Sequence, residues 1–396
     1  MDLTTTRDAF QKLERYIQQR DYSGYDCYDA LNSPFLSFIT KPHKYLRIAA
    51  IQFIKKCPIN LRPVLFVKPG HNPKGLGLFL SATAMAYRAT DDKNYLKSLE
   101  HLTTLLRQNE SQGYSGSCWG YNFDWQSRVF FVPKYTPTIV NTSFVAQAFI
   151  DAFIATGREE FLVKARSACD FIMRDLYHTR EGDRLSFSYT PIDRLKVHNA
   201  NILGAGLLAR VYAHTKEKEL YDYAKASAEY VLHYQRPDGS WYYAEETIQH
   251  WIDSFHTGFV LDSLDWYVRG TGDQTPVNAI KTGFRYYIEN FFLEDGSPKY
   301  YHDRIYPIDA HSPAQAFVTL TRLGGLDQRA SNIRDHVRDW TLLHMRSPKG
   351  YFYFQKHPNY INKIPYMRWV QAWSYYGLAH LLFYDTFKEI HGYSRY

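Results

Sequence analysis

The sequence predicts an all-α fold, an (α/α)6 toroid or six-hairpin barrel, with short β-hairpins in the loops between units. Three observations carry that expectation. A two-helix pattern recurs along the chain at a period of roughly 55–65 residues. Within each unit the first helix is apolar on nearly every side, whereas the second has one polar face. The connections between units are long and alike, while the turn inside each unit is short.

Residues 199–235 show the unit most clearly. From Ile202 to Val211 nearly every position is apolar, which suits a helix buried all round. A short polar turn follows. Leu220, Ala224, Ala228 and Val231 then recur at helical spacing, while Lys218, Asp222, Lys225 and Glu229 fall on the other side. The same plan starts again at Gly75, Thr142, His256 and Ser312. A sixth apolar helix from Arg368 has no convincing partner behind it. The N-terminus offers one, because Phe10, Leu13 and Ile17 form a stripe, and a first helix packed on the last unit would seal a ring. Residues 43–57 read as an extra helix with no evident place in the plan. The whole chain, 1–396, is expected to form one toroid domain. The alternative, an open superhelix of helix pairs, would show a polar face on both helices and shorter connections.

Composition bounds the function. A chain of 396 residues suits two ordinary domains or one large closed architecture. The aromatic share is 17%, with 34 Tyr, which suits either a groove for sugars and other ring-bearing ligands or a tyrosine-rich core. The net charge of +7 is dispersed, with no basic block beyond pairs such as Lys55–Lys56, so nucleic acid is not expected as a partner. The excess mildly favours an acidic ligand. Cys27, Cys57, Cys118 and Cys169 lie far apart without a CxxC pair, which argues against a zinc site and a disulfide framework. HExxH and i, i+4 histidine pairs are missing, and no metal or cofactor is expected. Residues 68–77 lack the Lys-Ser/Thr ending of a phosphate loop. The opening residues carry no signal-peptide pattern, and no run of about 18 apolar residues suggests a membrane span. The expectation is a cytoplasmic protein; its oligomeric state is left open.

The connections hold the candidate site, because long loops on a rigid scaffold are where function usually sits. Three of them end on Ile-Asp followed by a histidine: Asp193 with His198, Asp253 with His256, and Asp309 with His311. A toroid would gather these sets at one cleft mouth. Each Asp alone reads equally as a helix cap, but capping does not account for the histidines, nor for Trp119, Trp125, Trp251 and Trp369 nearby. Other units place Asn141 and Thr142, or Arg368 and Gln371, at the same point. Asp26 and Asp29 reach the same rim or form a surface Asx turn.

Several stretches resemble known families. Gln235, Asp238, Gly239, Ser240 and Trp241 match the QxxDGSW repeat of squalene–hopene cyclases and prenyltransferase-like toroids. That resemblance implies architecture rather than chemistry, since the DxDD and DDxxD motifs are absent. The chain as a whole is more similar to the six-hairpin toroids active on carbohydrates: family 88 and 105 unsaturated-uronyl hydrolases, N-acylglucosamine 2-epimerases and the toroid domains of polysaccharide lyases. GYDCYDALNSP, WGYNFDWQ, WIDSFHTGFVLDSL and YPIDAHSPAQA resemble a cytoplasmic toroid family of bacterial capsule and exopolysaccharide loci. The resemblance implies an oligo- or polysaccharide substrate and carries over no catalytic residue.

Three mechanisms compete. Glycoside hydrolysis, the first choice, needs two carboxyls across the bond. Asp253 and Asp309 are the pair, Asp124 is a third candidate, and Tyr121, Trp119, Trp125, Trp241 and Trp251 would contact the sugar rings. A lyase or epimerase working beside a uronic acid carboxylate needs a base to take the proton next to that carboxylate, and groups that neutralise the anion. His198, His256 or His311 would serve, with Asn141, Asn199, Asn201 and Arg368 as anion holders. A non-catalytic glycan-binding protein of polysaccharide assembly would keep the aromatic cleft and need no charged pair.

Overall fold

The computed structural model describes residues 3–388. The chain opens with α1 (Leu3–Gln18), and two further helices, α2 (Pro34–Thr40) and α3 (Lys44–Lys56), precede the repeats. The units follow as α4 (Pro73–Thr90) with α5 (Lys93–Gln108), α6 (Ile139–Thr156) with α7 (Glu159–Arg174), and α8 (His198–Thr215) with α9 (Lys218–His233). Then come α10 (Ser254–Thr271) with α11 (Val277–Asn290), α12 (His311–Arg322) with α13 (Ala330–His344), and finally α14 (Trp373–Lys388). A π-helical turn, Met367–Ala372, leads into α14.

The even-numbered helices from α4 to α14 form an inner ring. Each packs on its two neighbours, and α14 packs back on α4. The fold is therefore the closed (α/α)6 toroid, not an open superhelix. Inner helices are apolar all round because they are covered twice, by ring neighbours and by an outer helix. Helix α6 is long and apolar enough by composition to cross a bilayer, yet its residues are largely buried inside the ring. The sixth outer place is taken by α1. Phe10 stacks on Tyr375 at 4.4 Å and meets the edge of Phe383 at 5.4 Å. Tyr375 donates to Glu14 Oε1 at 2.8 Å, and Arg346 pairs with Asp8 at 2.6 Å.

The inner helices approach closely through glycines. A Cβ at Gly377 of α14 would stand 2.6 Å from the Ala314 carbonyl of α12, and one at Gly270 of α10 would stand 2.4 Å from the Ala209 carbonyl of α8. Toward the C-terminal ends of these helices, buried ion pairs cross the ring: Arg210–Asp151 at 2.6 Å and Arg322–Asp265 at 2.7 Å. Both guanidiniums lie over Trp266, at 3.8 and 4.0 Å. Burial lifts the nearby Asp262 carboxyl to about 6, against the pull of Arg322.

The expected short hairpins occur in part. Strands β1 (Trp125–Gln126) and β2 (Phe131–Val132) pair, as do β3 (His178–Glu181) and β4 (Arg184–Phe187). Strand β5 (Ile308–Asp309) instead joins β6 (Gln355–Lys356) and β7 (Ile361–Asn362) of the following connection. One backbone contact recurs around the ring. A residue at the start of an inner helix donates its N–H to an aromatic residue of the next connection: Ile139 to Tyr189, His198 to Tyr243, Ser254 to Tyr300, Ala310 to Phe354 and Met367 to Tyr25, all at 2.9–3.1 Å. These bonds use amides that a helix start leaves free. They tie the connections into a collar at one end of the ring.

The QxxDGSW stretch is structural. Gln235 Nε2 bridges the Gly239 and Ala279 carbonyls, Asp238 Oδ1 accepts from Ser240, and Trp241 Nε1 donates to the Val231 carbonyl at 2.9 Å. The extra helix α3 finds its place with α2 beside the collar, over a small second core of Ala30, Leu31, Ile51 and Ile54.

Gly377→Ala should destabilise the protein by about 1–3 kcal/mol through overpacking at the ring seam, despite alanine's better helix propensity. Gly325→Ala, where a Cβ meets nothing within 4 Å, should stay within about 0.5 kcal/mol of the parent. Urea unfolding of the two variants measures both.

Candidate active site

The first turns of the inner helices and the collar enclose a cavity of about 630 Å³, within the size range of small-molecule sites. Aromatic residues from the collar wall it. Tyr189, Tyr243 and Tyr300 are brought there by the recurrent backbone bond. Trp251 stacks on Tyr243 at 4.5 Å, and Trp125 meets Tyr121 edge-on at 6.1 Å.

Two imidazoles reach this cavity, on either side of Phe255. His256 lies 4.3 Å and His311 4.4 Å from that ring, centroid to centroid. His256 sits in the first turn of α10, whose cap is Asp253. One carboxylate oxygen of Asp253 accepts the His256 backbone N–H at 3.0 Å, and the other lies 2.7 Å from His256 Nδ1 and 3.1 Å from Trp251 Nε1. A carboxylate that accepts from Nδ1–H leaves Nε2 as the basic nitrogen. His311 is buried, and neither of its ring nitrogens finds a partner among the described residues. Burial, with Lys74 and His256 nearby, pushes its pKa well below the usual histidine range and keeps the ring neutral.

Among the described residues the carboxylates do not line this cavity, although Asp253 borders a small adjoining hollow that shares His256 and Trp251 with it. Asp253, Asp309, Asp193 and Asp26 each hold a residue of the wall. Asp253 holds His256 and Trp251. Asp309 is buried, accepts from Trp369 Nε1 at 2.9 Å, Gln355 Nε2 at 2.7 Å and the His311 backbone at 2.9 Å, and has its pKa raised by burial. Asp193 accepts from the Tyr189 and Thr190 amides. Asp26 grips Arg368 through two bonds of 2.6 and 2.7 Å and accepts the Tyr28 amide in an Asx turn, but both Asp26 and Asp29 are buried, so the turn is not at the surface and neither carboxyl lines the cavity. Asp29 pairs with Arg62, and burial lifts its carboxyl to about 6. The cavity wall itself carries Lys55, Lys56, Lys74, Arg128, Arg304 and Arg368 and, among the described residues, no Asp or Glu.

The structure thus brings together His256, His311, Tyr121, Trp125, Asn199, Trp251, Arg368 and Trp369 from the residues read in the sequence. Others fall elsewhere. Trp119 is a core residue that donates to the Leu106 carbonyl, and Trp241 is wedged against Gly283. Asp124 accepts the Lys134 amide outside the cavity wall. His198 turns away toward Glu245, 3.0 Å distant, while its neighbour Asn199 faces the cavity with a buried amide nitrogen that has no partner among the described residues. Gln371 bonds the Phe352 backbone through both amide atoms, and Asn201 bonds Phe187 and Ser227. Asn141 is buried, its two side-chain polar atoms have no partner among the described residues, and it is not part of the wall. Among the described residues no group of His, Cys, Asp and Glu is arranged to hold a metal ion.

Lys74 is the residue sequence reasoning missed. It stands in the first turn of α4, two residues after the cap Asn72, whereas His256 stands three after the cap Asp253; no spacing in the sequence pointed to it. It is buried among Phe144, Phe259 and Trp373, with Nζ 4.4, 5.1 and 5.3 Å from their ring centres. Its ammonium has no carboxylate or hydrogen-bond partner among the described residues. Burial and the charge of Arg368 lower its pKa well below the ordinary lysine value.

Comparison with known proteins bears on the fold. No protein-family model matches the sequence, and no curated protein matches it either. Several solved structures share its architecture. An unsaturated glucuronyl hydrolase from Bacillus sp. GL1 superposes with a TM-score of 0.66 at 14% identity, over 99% of this chain and 98% of that one. A cellobiose 2-epimerase from Bacillus thermoamylovorans gives 0.64 at 12% identity, over 79% and 87%. A family 76 α-mannanase from Bacteroides thetaiotaomicron gives 0.62 at 12%, over 79% and 86%. At these identities the likeness establishes the toroid fold alone.

An anion arriving beside Lys74 should raise its pKa again, so that binding takes up a proton. Calorimetry of a uronic-acid oligosaccharide at mildly alkaline pH, in buffers of different ionisation enthalpy, should show net proton uptake by the parent protein. Lys74→Met should abolish it.

Proposed function

We propose that this cavity binds an acidic saccharide and that His256 moves a proton at a carbon beside the sugar's carbonyl or carboxylate, giving epimerisation or elimination. One observation carries the reading: the wall offers two imidazoles and six basic side chains and, among the described residues, no carboxylate. Taking a proton from carbon needs a base with a free lone pair, and the Asp253–His256 bond supplies one at Nε2. Neutral His311, packed on Phe255, is placed to polarise a substrate oxygen through its N–H, and the proton taken up by His256 is the one returned to carbon or passed to the leaving oxygen. The carboxylate that the substrate already carries would be met by Lys74 and Arg368. Flat aromatic walls suit sugar faces.

The structural neighbours include a sugar epimerase and two glycoside hydrolases, so such a ring can house carbohydrate chemistry of both kinds. Hydrolysis by a carboxylate pair would require Asp253 or Asp309 to leave the lining residue it holds, which favours the imidazole reading here.

The test is a screen of acidic and neutral oligosaccharides, with products followed by mass, by isomer separation and by near-ultraviolet absorbance for a new double bond. Acidic sugars should be converted without change of mass or with chain cleavage that leaves unsaturation. Cleavage with addition of water would favour hydrolysis instead. His256→Gln should lower kcat by about 10²–10⁴-fold. Asp253→Asn, whose amide stabilises the wrong tautomer, should lower it by about 10³-fold. Lys74→Met should act mainly on KM, by about 10–100-fold, the worth of a charged hydrogen bond.

A further inference from the structure

Helices α2 and α3 expose what an ordinary surface hides. Of the residues in α2, only Thr40 is buried, while Phe35, Phe38 and Ile39 are exposed at i, i+3 and i+4. Helix α3 turns Ile51 and Ile54 inward but leaves Tyr45, Leu46 and Phe53 exposed along its other side. Ile59, Val64 and Phe66 continue the exposure beyond α3; Phe38 is 82% and Phe66 74% exposed. Nine of the exposed large apolar residues among those described thus fall between positions 35 and 66. Large apolar side chains exposed at this density on two helices that pack together are what interaction sites show.

The charge around it is one-sided. Residues 30–90 contain nine Lys and Arg, from Lys41 to Arg88, and no Asp or Glu. Lys41, Lys56 and Lys68 are exposed beside the apolar residues, and Lys44 is half-buried there. None of these four has a carboxylate partner among the described residues. Projecting aromatic and aliphatic side chains ringed by unpaired lysines match an anionic bilayer surface, where the apolar groups enter the acyl boundary and the ammonium groups meet lipid phosphates.

We propose that the α2–α3 face docks on an anionic membrane. Helix α3 is also a wall of the cavity, through Ile48, Ile51, Gln52, Lys55 and Lys56. Docking therefore brings the cavity to the lipid surface. This inference stands on the exposed face alone and does not depend on the chemistry assigned to His256.

The test is flotation of the full chain with vesicles of phosphatidylglycerol and phosphatidylcholine, compared with phosphatidylcholine alone. The protein should float with the anionic vesicles. It should bind them at least about tenfold less at a salt concentration of about 1 M, where charge is screened within about 3 Å. Phe38→Ser with Phe53→Ser, both at exposed positions, should lower binding about tenfold or more, with an unchanged thermal melt. Val163→Ser with Leu343→Ser, exposed apolar residues on the outer helices α7 and α13, should bind as the parent does. Failure to float with anionic vesicles, or parent-like flotation of the Phe38/Phe53 variant, would overturn the proposal. So would light scattering that shows a dimer dissociated by the Phe38/Phe53 change without vesicle binding, which assigns the face to a second copy of the chain.

Discussion

A single backbone hydrogen bond, made five times, organises this molecule. At the start of five of the six inner helices an amide that the helix leaves free is given to the carbonyl of an aromatic residue in the next connection. Each bond spends a donor that would otherwise need water, and each swings a neighbouring connection over the ring. Because helices begin at this end, every first turn faces the same hollow. Residues as distant as Lys74, His256, His311 and Arg368 then share one cavity. Closure of α14 on α4, with α1 behind it, keeps the collar from opening.

The electrostatics of the cavity follow from the same geometry. A residue just before or within a first turn can satisfy backbone amides with a carboxylate, and Asp253 does so for α10. Once bound in that way a carboxylate has a free oxygen facing sideways, toward the next side chain in the turn. Asp253 uses it on His256 and Trp251, and Asp309, by its own bonds, on Trp369 and Gln355. The acids thereby become holders, and the groups they hold become the surface. The remaining wall is cationic and aromatic, and Lys74 sits in it without a counter-charge. That combination favours an anionic ligand more sharply than the net charge of +7 does.

Much of the fold was legible in the sequence, because it rests on periodicity. The stripe of Phe10, Leu13 and Ile17 marked the helix that fills the sixth outer place, and Asp253 and His256 stood out by position. The finer assignments needed rotation angles that spacing does not supply. One step along a helix turns a side chain by about 100°, which separates Asn199, in the wall, from His198, outside it. Trp119 and Trp241 looked like sugar platforms, but indole N–H groups that reach the Leu106 and Val231 carbonyls belong to the core. Lys74 hid in a glycine-rich stretch that suggested only a loop. Helix α3 was visible as a helix, yet its exposed aromatic face depends on which side the small second core takes.

The central claim is that His256, held by Asp253, exchanges a proton with a carbon of a bound saccharide. Incubation of acidic oligosaccharides with the protein in heavy water, followed by mass spectrometry and NMR, tests it most directly. The account expects a single deuteron at the carbon beside the carbonyl or carboxylate of recovered substrate or product, and none with His256→Gln. Conversion of substrate with solvent oxygen incorporated and no carbon-bound deuterium would contradict it.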